Sequence, residues 1–464
     1  MSPDEDAPLD RATIEAHLAD VEFDTPDRDG AVESVIAVAQ YLAANEDART
    51  GDVFDALEPE DNHHVGLRGP QILGRFGAVE TYRAVWWEDI VLPGLAAIPD
   101  VEAPPPGPPD WRLPDRMDRT QPVDLDALHG DLTDHPVPAS IHVAGVNVLA
   151  EVAEKRVPGP RFVDPVVTAM ERPAIDVDAP GLRVLRRIAA EHPGPVAAEL
   201  DVIVDRLDAA HPLVPARAAG CCSELVAAEP LAVLEHVDAL GERADAGMDA
   251  LAEHAVYVLS KLARSHPEDV APHLERVLES DVPDRTVTHR AHALVTIGMT
   301  AEVAGMDGAR ADRAVVLGIR LLGDEAESVR NNAAGMLADL AGWRPELLAR
   351  HADDLLDRLV YSEGIQQGNL ALVVKRIAAA EPDRLAGSET ELVRVAKEGP
   401  PTAREATCRT LGHVGGMDCY DDLQQLAMFD EHPAVQEAAE WAMDRVLEGG
   451  DVGGDVGGDV GGDG

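Results

Sequence analysis

Cysteine and histidine are the residues of this chain whose spacing bears most directly on metal chemistry. Cys408, His413 and Cys419 lie close together in the sequence. Zinc sites favour Cys pairs separated by roughly two to four residues, and no such pair occurs here. His289 and His292 are three residues apart on one predicted helix, a spacing that suits a shared metal ion. No carboxylate or Cys stands at a matching spacing, so we expect both histidines to be structural.

Residues for nucleophilic or acid–base catalysis do not form a recognisable motif either. The sequence contains neither GxSxG nor HExxH, and no Gly-rich phosphate loop follows a strand-like run. Cys221 and Cys222 are adjacent on a predicted helix, where Cys222 occupies an apolar position that suits core packing. Carboxylates are so abundant, at 86 Asp and Glu, that no pair can be singled out as acid and base. We therefore predict a protein that is not an enzyme and that holds neither cofactor nor metal.

The acidic residues say more about the solvent than about a ligand. Against the 86 acidic residues stand 39 Lys and Arg, so the formal net charge of the 464-residue chain is −47. This excess is spread along the chain and resembles the composition of proteins from salt-in halophilic archaea. In such a cell, salt at about 1 M shortens the Debye length to about 3 Å and screens the repulsion. The alternative, that the acidic surface binds basic partners, stays open.

The remaining composition predicts a folded protein of the cytoplasm. Hydrophobic residues make up 45% of the chain, which is enough for a large core. No run of 18 apolar residues predicts a membrane span. The acidic start MSPDEDAPLD lacks the features of a signal or transit peptide. We expect a cytoplasmic location and no membrane contact.

A helical phrase recurs through the last three quarters of the chain. Its first apolar residue falls at Leu149, Leu185, Cys222, Leu259, Leu294, Leu337, Val374, Leu411 and Met443. Most intervals are 35 to 37 residues, and one of 43 predicts a longer loop over residues 302–312. The position three residues earlier is small or apolar in every unit but the last, which has Glu440. Second amphipathic segments lie between these helices, so each unit is predicted to be a helix pair that packs on its neighbours.

The segment LLGDEAESVRNNAAGMLADLA, residues 321–341, resembles the HEAT-repeat family, including the shorter repeats of phycobilisome-lyase-like HEAT proteins. Asp324 in its inter-helix turn and Arg330 early in its second helix match that family's Asp/Arg ladder. Arg404 occupies the position of Arg330 in a later unit. The other units have different residues at that position: His142, Asp178, Pro215, Ala252, Val287, Gln367 and Gln436.

The resemblance implies an all-α fold in which about nine HEAT-like helix pairs, over residues 116–448, form a right-handed α-solenoid. Such solenoids usually present the second helices of their pairs as a concave surface that binds another macromolecule. The leading hypothesis is therefore a non-enzymatic scaffold that binds a protein partner in a high-salt cytoplasm. A minority of HEAT proteins act as enzymes, so a lyase-like HEAT enzyme is a further alternative.

Residues 21–115 do not follow the repeat and are predicted to form a separate domain, which holds eight of the 15 aromatic residues. The order of a helix over 29–46, a turn, further helices and a Pro-rich arm resembles a winged-helix domain. That resemblance implies protein docking or, as an alternative function, a DNA-linked regulator that contacts nucleic acid through Arg68, Arg75 and Arg83. The segment has 19 acidic and six basic residues, whereas phosphate contact needs clustered Lys or Arg.

Two terminal segments complete the predicted organisation. Residues 1–20 form an acidic N-terminal segment. Residues 449–464 contain the repeated sequence GGDV, and we predict that they are disordered because Gly at this density makes ordering costly.

Overall fold

The structure is a computed structural model of the chain, and it describes residues 10–21, 28–45, 48, 53, 91–99, 101, 125–133, 139–172, 177–211 and 213–452. All regular elements within these residues are helices, which confirms the predicted all-α class for the described part of the chain. The chain divides into two compact units, residues 1–229 and 230–464. This division falls inside the region that the sequence assigns to one array of repeats.

The first unit is built from helices of five to 17 residues. They are α1 (Arg11–His17), α2 (Arg28–Ala44), α3 (Leu92–Ala96), α4 (Leu125–Thr133), α5 (Ala139–Lys155), α6 (Val163–Met170), α7 (Asp178–Ala189), α8 (Pro193–Ala197), α9 (Leu200–Asp205) and α10 (Val214–Leu225). Helix α2 confirms the helix predicted over 29–46. Pro93 lies in the first turn of α3, where a missing N–H leaves no intrahelical bond unmade.

The second unit alternates long and shorter helices. They are α11 (Pro230–Leu234), α12 (Val237–Gly241), α13 (Asp249–Leu262), α14 (Pro267–Val270), α15 (Leu274–Glu279), α16 (Val287–Thr300), α17 (Gly308–Leu321), α18 (Glu327–Trp343), α19 (Glu346–Ala349), α20 (Ala352–Tyr361), α21 (Gly364–Ala380), α22 (Glu389–Glu398), α23 (Pro401–Val414), α24 (Tyr420–Phe429) and α25 (Pro433–Val452).

The long helices of the second unit pack against one another in chain order. Helix α13 contacts α16, α16 contacts α18, and the series continues through α21 and α23 to α25. The intervening helices each pack on the long helix that follows them: α17 on α18, α20 on α21, α22 on α23 and α24 on α25. In the first unit, α5, α7 and α10 pack in the same order. Helix pairs are therefore the building blocks, as the sequence predicts.

The recurring apolar positions lie in the cores of the two units. Eight of the nine are fully buried: Leu149, Leu185, Cys222, Leu259, Leu294, Leu337, Val374 and Leu411. The ninth, Met443, is only half-buried, and Glu440 on the same helix is exposed. Both belong to α25, which no further helix follows among the described residues, so one of its faces meets solvent. The predicted burial is wrong at Met443 for this reason.

The loop predicted over residues 302–312 is shorter in the structure. Helix α16 ends at Thr300 and α17 already begins at Gly308. The side chain of Asp307 accepts a hydrogen bond from the N–H of Arg310 at 2.9 Å and so caps α17. The Asp–Gly pair thus starts a helix and does not continue a turn.

Two glycines allow neighbouring long helices to approach closely. A Cβ atom at Gly298 of α16 would lie 3.2 Å from the Cα of Met336 in α18. One at Gly412 of α23 would lie 3.0 Å from the Cα of Ala442 in α25 and would overlap the Trp441 ring. Because backbone moves aside less readily than a flexible side chain, a side chain at either position would crowd the neighbouring helix.

Candidate binding surface

The four cysteines are free and buried. Burial raises the pKa of Cys222 to about 12, and it also raises the pKa of Cys408 to about 12. Burial raises the pKa of Cys221 and that of Cys419 as well. Because the thiolate is both the nucleophile and the metal ligand, protonated thiols of this kind suit neither role. Cys222 and Cys408 fill the core, as their place in the apolar pattern predicts.

His289 and His292 do not face a common ligand. His289 is buried, and its Nε2 lies 3.4 Å from the carbonyl oxygen of Ala244. The Nδ1 of His292 lies 2.8 Å from the hydroxyl oxygen of Ser260. Burial is the main cause that lowers the pKa of His292 to about 4, so this ring is neutral near pH 7. Each imidazole therefore has its own protein partner.

Within the described residues, no group of three or more His, Cys, Asp or Glu is arranged to hold a metal ion. In the same ranges, none of the helices has both the length and the apolar character that crossing a bilayer requires.

Arg68, Arg75 and Arg83, the predicted nucleic-acid contacts, lie outside the described residues. The predicted ladder residues, in contrast, all lie in or beside turns of the second unit.

Asp324 lies in the turn between α17 and α18, and it pairs with Arg290 of α16. The Nη2 of Arg290 donates to Oδ1 of Asp324 at 3.0 Å, and Nε lies 2.9 Å from Oδ2. Arg290 also donates to the carbonyl oxygen of Arg285, and Asp324 accepts the N–H of Ala326. Burial alone would raise the pKa of Asp324, but the hydrogen bonds from Arg290 and Ala326 lower it below its ordinary value.

Arg404 of α23 forms the same arrangement with Asp430, in the turn between α24 and α25. Its Nε and Nη2 donate to the two carboxylate oxygens at 2.9 and 3.0 Å, and its Nη1 donates to the carbonyl oxygen of Gly399. Asp430 accepts the N–H of His432 at 2.9 Å. The side chains of Arg404 and Asp430 are only 11% and 5% exposed. Burial would raise the pKa of Asp430, but the bonds from Arg404 and His432 lower it.

Arg330, the third predicted ladder residue, has no carboxylate partner among the described residues. Its Nη1 donates to the carbonyl oxygens of Asp324 and Glu325, so it closes the turn that precedes its own helix. Asp324 and Asp430 each stand three residues before the next long helix. At the equivalent place before α21 stands Tyr361, which offers Arg330 no charge.

Large apolar side chains are exposed at two of these turns. Tyr361, at the end of α20, is 83% exposed, and Ile365, at the start of α21, is also exposed. Met428 and Phe429 end α24, and Phe429 is 76% exposed. Exposed apolar groups that cluster, unlike scattered ones, mark surfaces that other molecules cover.

A groove of about 650 Å³ lies beside Phe429. It is lined by Lys397, Arg404, Gln425, Leu426, Phe429, Asp430 and Glu431. The part-buried pair of Arg404 and Asp430 belongs to this lining, and its two hydrogen bonds hold the turn that follows Phe429. The groove therefore combines apolar side chains with charged side chains of both signs.

Helix α22 links the groove to Tyr361. Arg394 of α22 places its guanidinium carbon 5.9 Å from the centre of the Tyr361 ring. Lys397, one turn later on the same helix, lines the groove and forms an ion pair with Asp422 at 2.5 Å. Residues three apart on a helix share a face. We call the set Tyr361, Ile365, Arg394, Lys397, Leu426, Met428 and Phe429 the turn surface.

Sequence reasoning missed Arg290 and Asp430. In the repeat that contains α16, the ladder position expected from the sequence is Val287. The arginine that pairs with Asp324 is Arg290, one helical turn later. Arg290 could have been recognised by its distance from the preceding turn, because Arg290 and Arg404 each donate to the carbonyl oxygen five residues before them. Asp430 could have been recognised as an Asp that stands three residues before a long helix.

Comparison with known proteins adds no family to this description. No protein-family model matches the chain, and no curated protein matches it.

Proposed function

We propose that the protein is a non-enzymatic scaffold whose helix pairs form a right-handed HEAT-like α-solenoid and bind a protein partner. The turn surface is the observation that carries this proposal. In the second compact unit, it exposes four large apolar side chains: Tyr361, Ile365, Met428 and Phe429. The regular burial of the recurring apolar positions supports the solenoid arrangement, because each helix pair completes its core on its neighbours.

The chemistry of the turn surface favours a protein as the partner. Covering an exposed large apolar side chain contributes about 1.5–3 kcal/mol, which is of the size that interface anchors supply. In molar salt, charges separated by more than a few ångströms are screened, so apolar contacts carry a larger share of the binding. A high-salt cytoplasm, the location we propose, would favour such a surface.

Affinity capture in molar salt tests the proposal. The tagged full-length chain is compared with a chain that lacks residues 120–448, and captured proteins are identified by mass spectrometry. We expect a defined partner with the full chain and none with the deletion. A partner that is still captured after loss of residues 120–448 would refute a scaffold role for the repeats.

A further inference from the structure

We infer that the exposed face of α16, α18 and α21 binds an extended, uncharged segment of a protein partner, whose main chain hydrogen-bonds to the side-chain amides of Asn332 and Asn369. This inference rests on the proposed scaffold function and adds a second binding surface to it. Three observations carry it: the scarcity of carboxylates, the continuity of the face and the free hydrogen-bonding groups of the two amides.

Carboxylates are nearly absent from these three helices. Asp and Glu make up 86 of the 464 residues, yet α16 and α21 contain none and α18 contains only Glu327 and Asp339. The shorter helix α20, in contrast, has three Asp in ten residues. Burial does not explain the difference, because the long helices have many non-buried positions. Neutral residues occupy six of these positions: Thr288, His292, Met299, Asn331, Asn332 and Asn369. The cores of protein interfaces are depleted of charged residues in the same way.

The exposed face is continuous across the three helices. Its non-buried residues recur every three or four positions, so they form one row along each helix. A Cβ atom at Gly298 of α16 would lie 2.8 Å from Oδ2 of Asp339 in α18. One at Gly335 of α18 would lie 3.4 Å from Nδ2 of Asn369 in α21. The rows therefore adjoin, and we call the surface that they form the long-helix face.

The charges on the long-helix face balance. Asp339 of α18 and Arg376 of α21 are the charged side chains of its rows. Burial raises the pKa of Asp339, and the positive charges of Arg376 and Arg264 oppose that rise. The ring of His292 is neutral near pH 7, because burial lowers its pKa to about 4. A ligand therefore meets a surface without net charge.

Carboxylates border the long-helix face. Glu302, Glu327 and Glu363 are exposed at the ends of its helices, and Glu253 and Glu405 lie on the neighbouring helices α13 and α23. An acidic segment would meet these like charges, whereas a basic segment would bind at the border and not on the face. An uncharged segment is the ligand that the face and its border both allow.

Asn332 and Asn369 have groups available for a peptide main chain. Nδ2 of Asn332 donates to the carbonyl oxygen of Ala291 at 2.9 Å, and Nδ2 of Asn369 donates to that of Asn331 at 3.3 Å. Each bond uses one of two N–H groups and fixes the orientation of the amide. The second N–H remains for a ligand, as does Oδ1, which has no donor among the described residues.

The spacing of the helices suits an extended ligand. Packed helices lie about 8–10 Å apart. A polyproline II segment has three residues per turn and rises about 3.1 Å per residue, so the same side of its main chain recurs after about 9.3 Å. Its N–H and C=O groups form no internal hydrogen bonds. A segment that crosses the helices can therefore present free main-chain groups first to Asn332 and then to Asn369.

The test selects ligands from a phage-displayed library of random peptides of about 12 residues, which is about four turns of such a segment. Selection uses the full-length chain in about 1 M salt, and fluorescence anisotropy then measures the affinity of the enriched peptides. We expect these peptides to carry no net charge. Asn332→Leu with Asn369→Leu should weaken their binding about tenfold or more, because it removes two hydrogen-bonding groups.

A second variant adds charge without removing those amides. Met299→Asp with Asn331→Asp places two carboxylates beneath the ligand and should weaken binding at least as much, because a covered charge loses its hydration. Neither substitution breaks the bonds that orient Asn332 and Asn369, since Asn331 accepts through its main-chain carbonyl. Thermal unfolding should show that all variants remain folded.

Leu231→Asp with Val316→Asp is the matched control, because it adds the same two charges at positions 64% and 58% exposed, outside the long-helix face. It should leave the affinities unchanged. Enrichment of charged peptides, unchanged binding by Met299→Asp with Asn331→Asp, or no enriched peptide at all would each overturn the inference. The scaffold proposal is judged separately, by whether partner capture depends on residues 120–448.

Discussion

The pair of Arg290 with Asp324 and the pair of Arg404 with Asp430 share one design but present different surfaces. In each, the arginine donates to a carbonyl five residues earlier and the aspartate accepts the N–H two residues later. A glycine eight residues after the arginine allows close contact with the next long helix. The residue before the aspartate differs, because it is Gly323 in one turn and the exposed Phe429 in the other. The same Arg–Asp pair can therefore hold turns that expose different side chains.

The turn before α21 extends the comparison. It lacks the aspartate and has Tyr361 in its place. Gln367 on α21 instead donates to the carbonyl oxygen of Leu359. This turn therefore has an amide–carbonyl hydrogen bond where the other two have an Arg–Asp pair, and the position that a carboxylate would fill carries an exposed aromatic ring.

The largest expected effect comes from removing one partner of a part-buried pair. Asp430→Ala and Asp324→Ala should each lower the free energy of unfolding by about 1.5–3 kcal/mol, because each removes a carboxylate that accepts hydrogen bonds from a guanidinium and from a backbone N–H. Denaturant titration measures the loss. The double variant Arg404→Met with Asp430→Leu should recover most of it. A loss below about 1 kcal/mol, the usual size for an exposed pair, would mean that the frame does not depend on burial.

The glycines should give the next largest effect. A methyl group at Gly412 meets the Trp441 ring and the backbone of Ala442, and overpacking of this kind costs about 1–3 kcal/mol. The better helix propensity of Ala offsets about 1 kcal/mol. We expect a net loss in unfolding free energy for Gly412→Ala. Gly308→Ala, at a helical position with open space around it, is the control and should show no loss.

The pH dependence of stability tests whether Asp430 is ionised in its pair with Arg404. The pKa of Asp430 is lowered in the folded state, so its contribution is complete above the unfolded value of about 3.9 and is lost as pH falls through the lower folded value. The stability difference between the natural chain and Asp430→Asn should therefore be constant near neutral pH and shrink below about pH 4. Unfolding free energies at a series of pH values and constant salt measure it. The same difference at all pH values would contradict an ionised Asp430.

The smallest effect should come from the exposed rings. Tyr361→Ser and Phe429→Ser should change the unfolding free energy by no more than about 0.5 kcal/mol, as is usual for surface positions. Chemical denaturation beside the natural chain provides the measurement. A loss comparable to that of Asp430→Ala would place these side chains in the core and remove them from the turn surface.

The apolar pattern predicted the helices and the buried positions because a packed helix must repeat small or apolar residues on one face. The pattern failed at Met443 of α25, because burial of this side chain would need a further helix packed against α25. Asp324, Arg330 and Arg404 were predicted from family resemblance. Arg290, the partner of Asp324, was not predicted, because it is recognised by its distance from the preceding turn and not by the family's ladder position. The exposure of Tyr361 depends on where α20 ends, and helix ends are poorly fixed by periodicity.

The distribution of the thiols gives the chain a built-in reporter of unfolding. Cys221 and Cys222 lie in the first unit, and Cys408 and Cys419 lie in the second. All four are inaccessible and protonated while their helices are packed, so an alkylating reagent reaches them only when a unit opens. After proteolysis, the mass added to each cysteine peptide would give a separate opening rate for each half of the chain, without any engineered label.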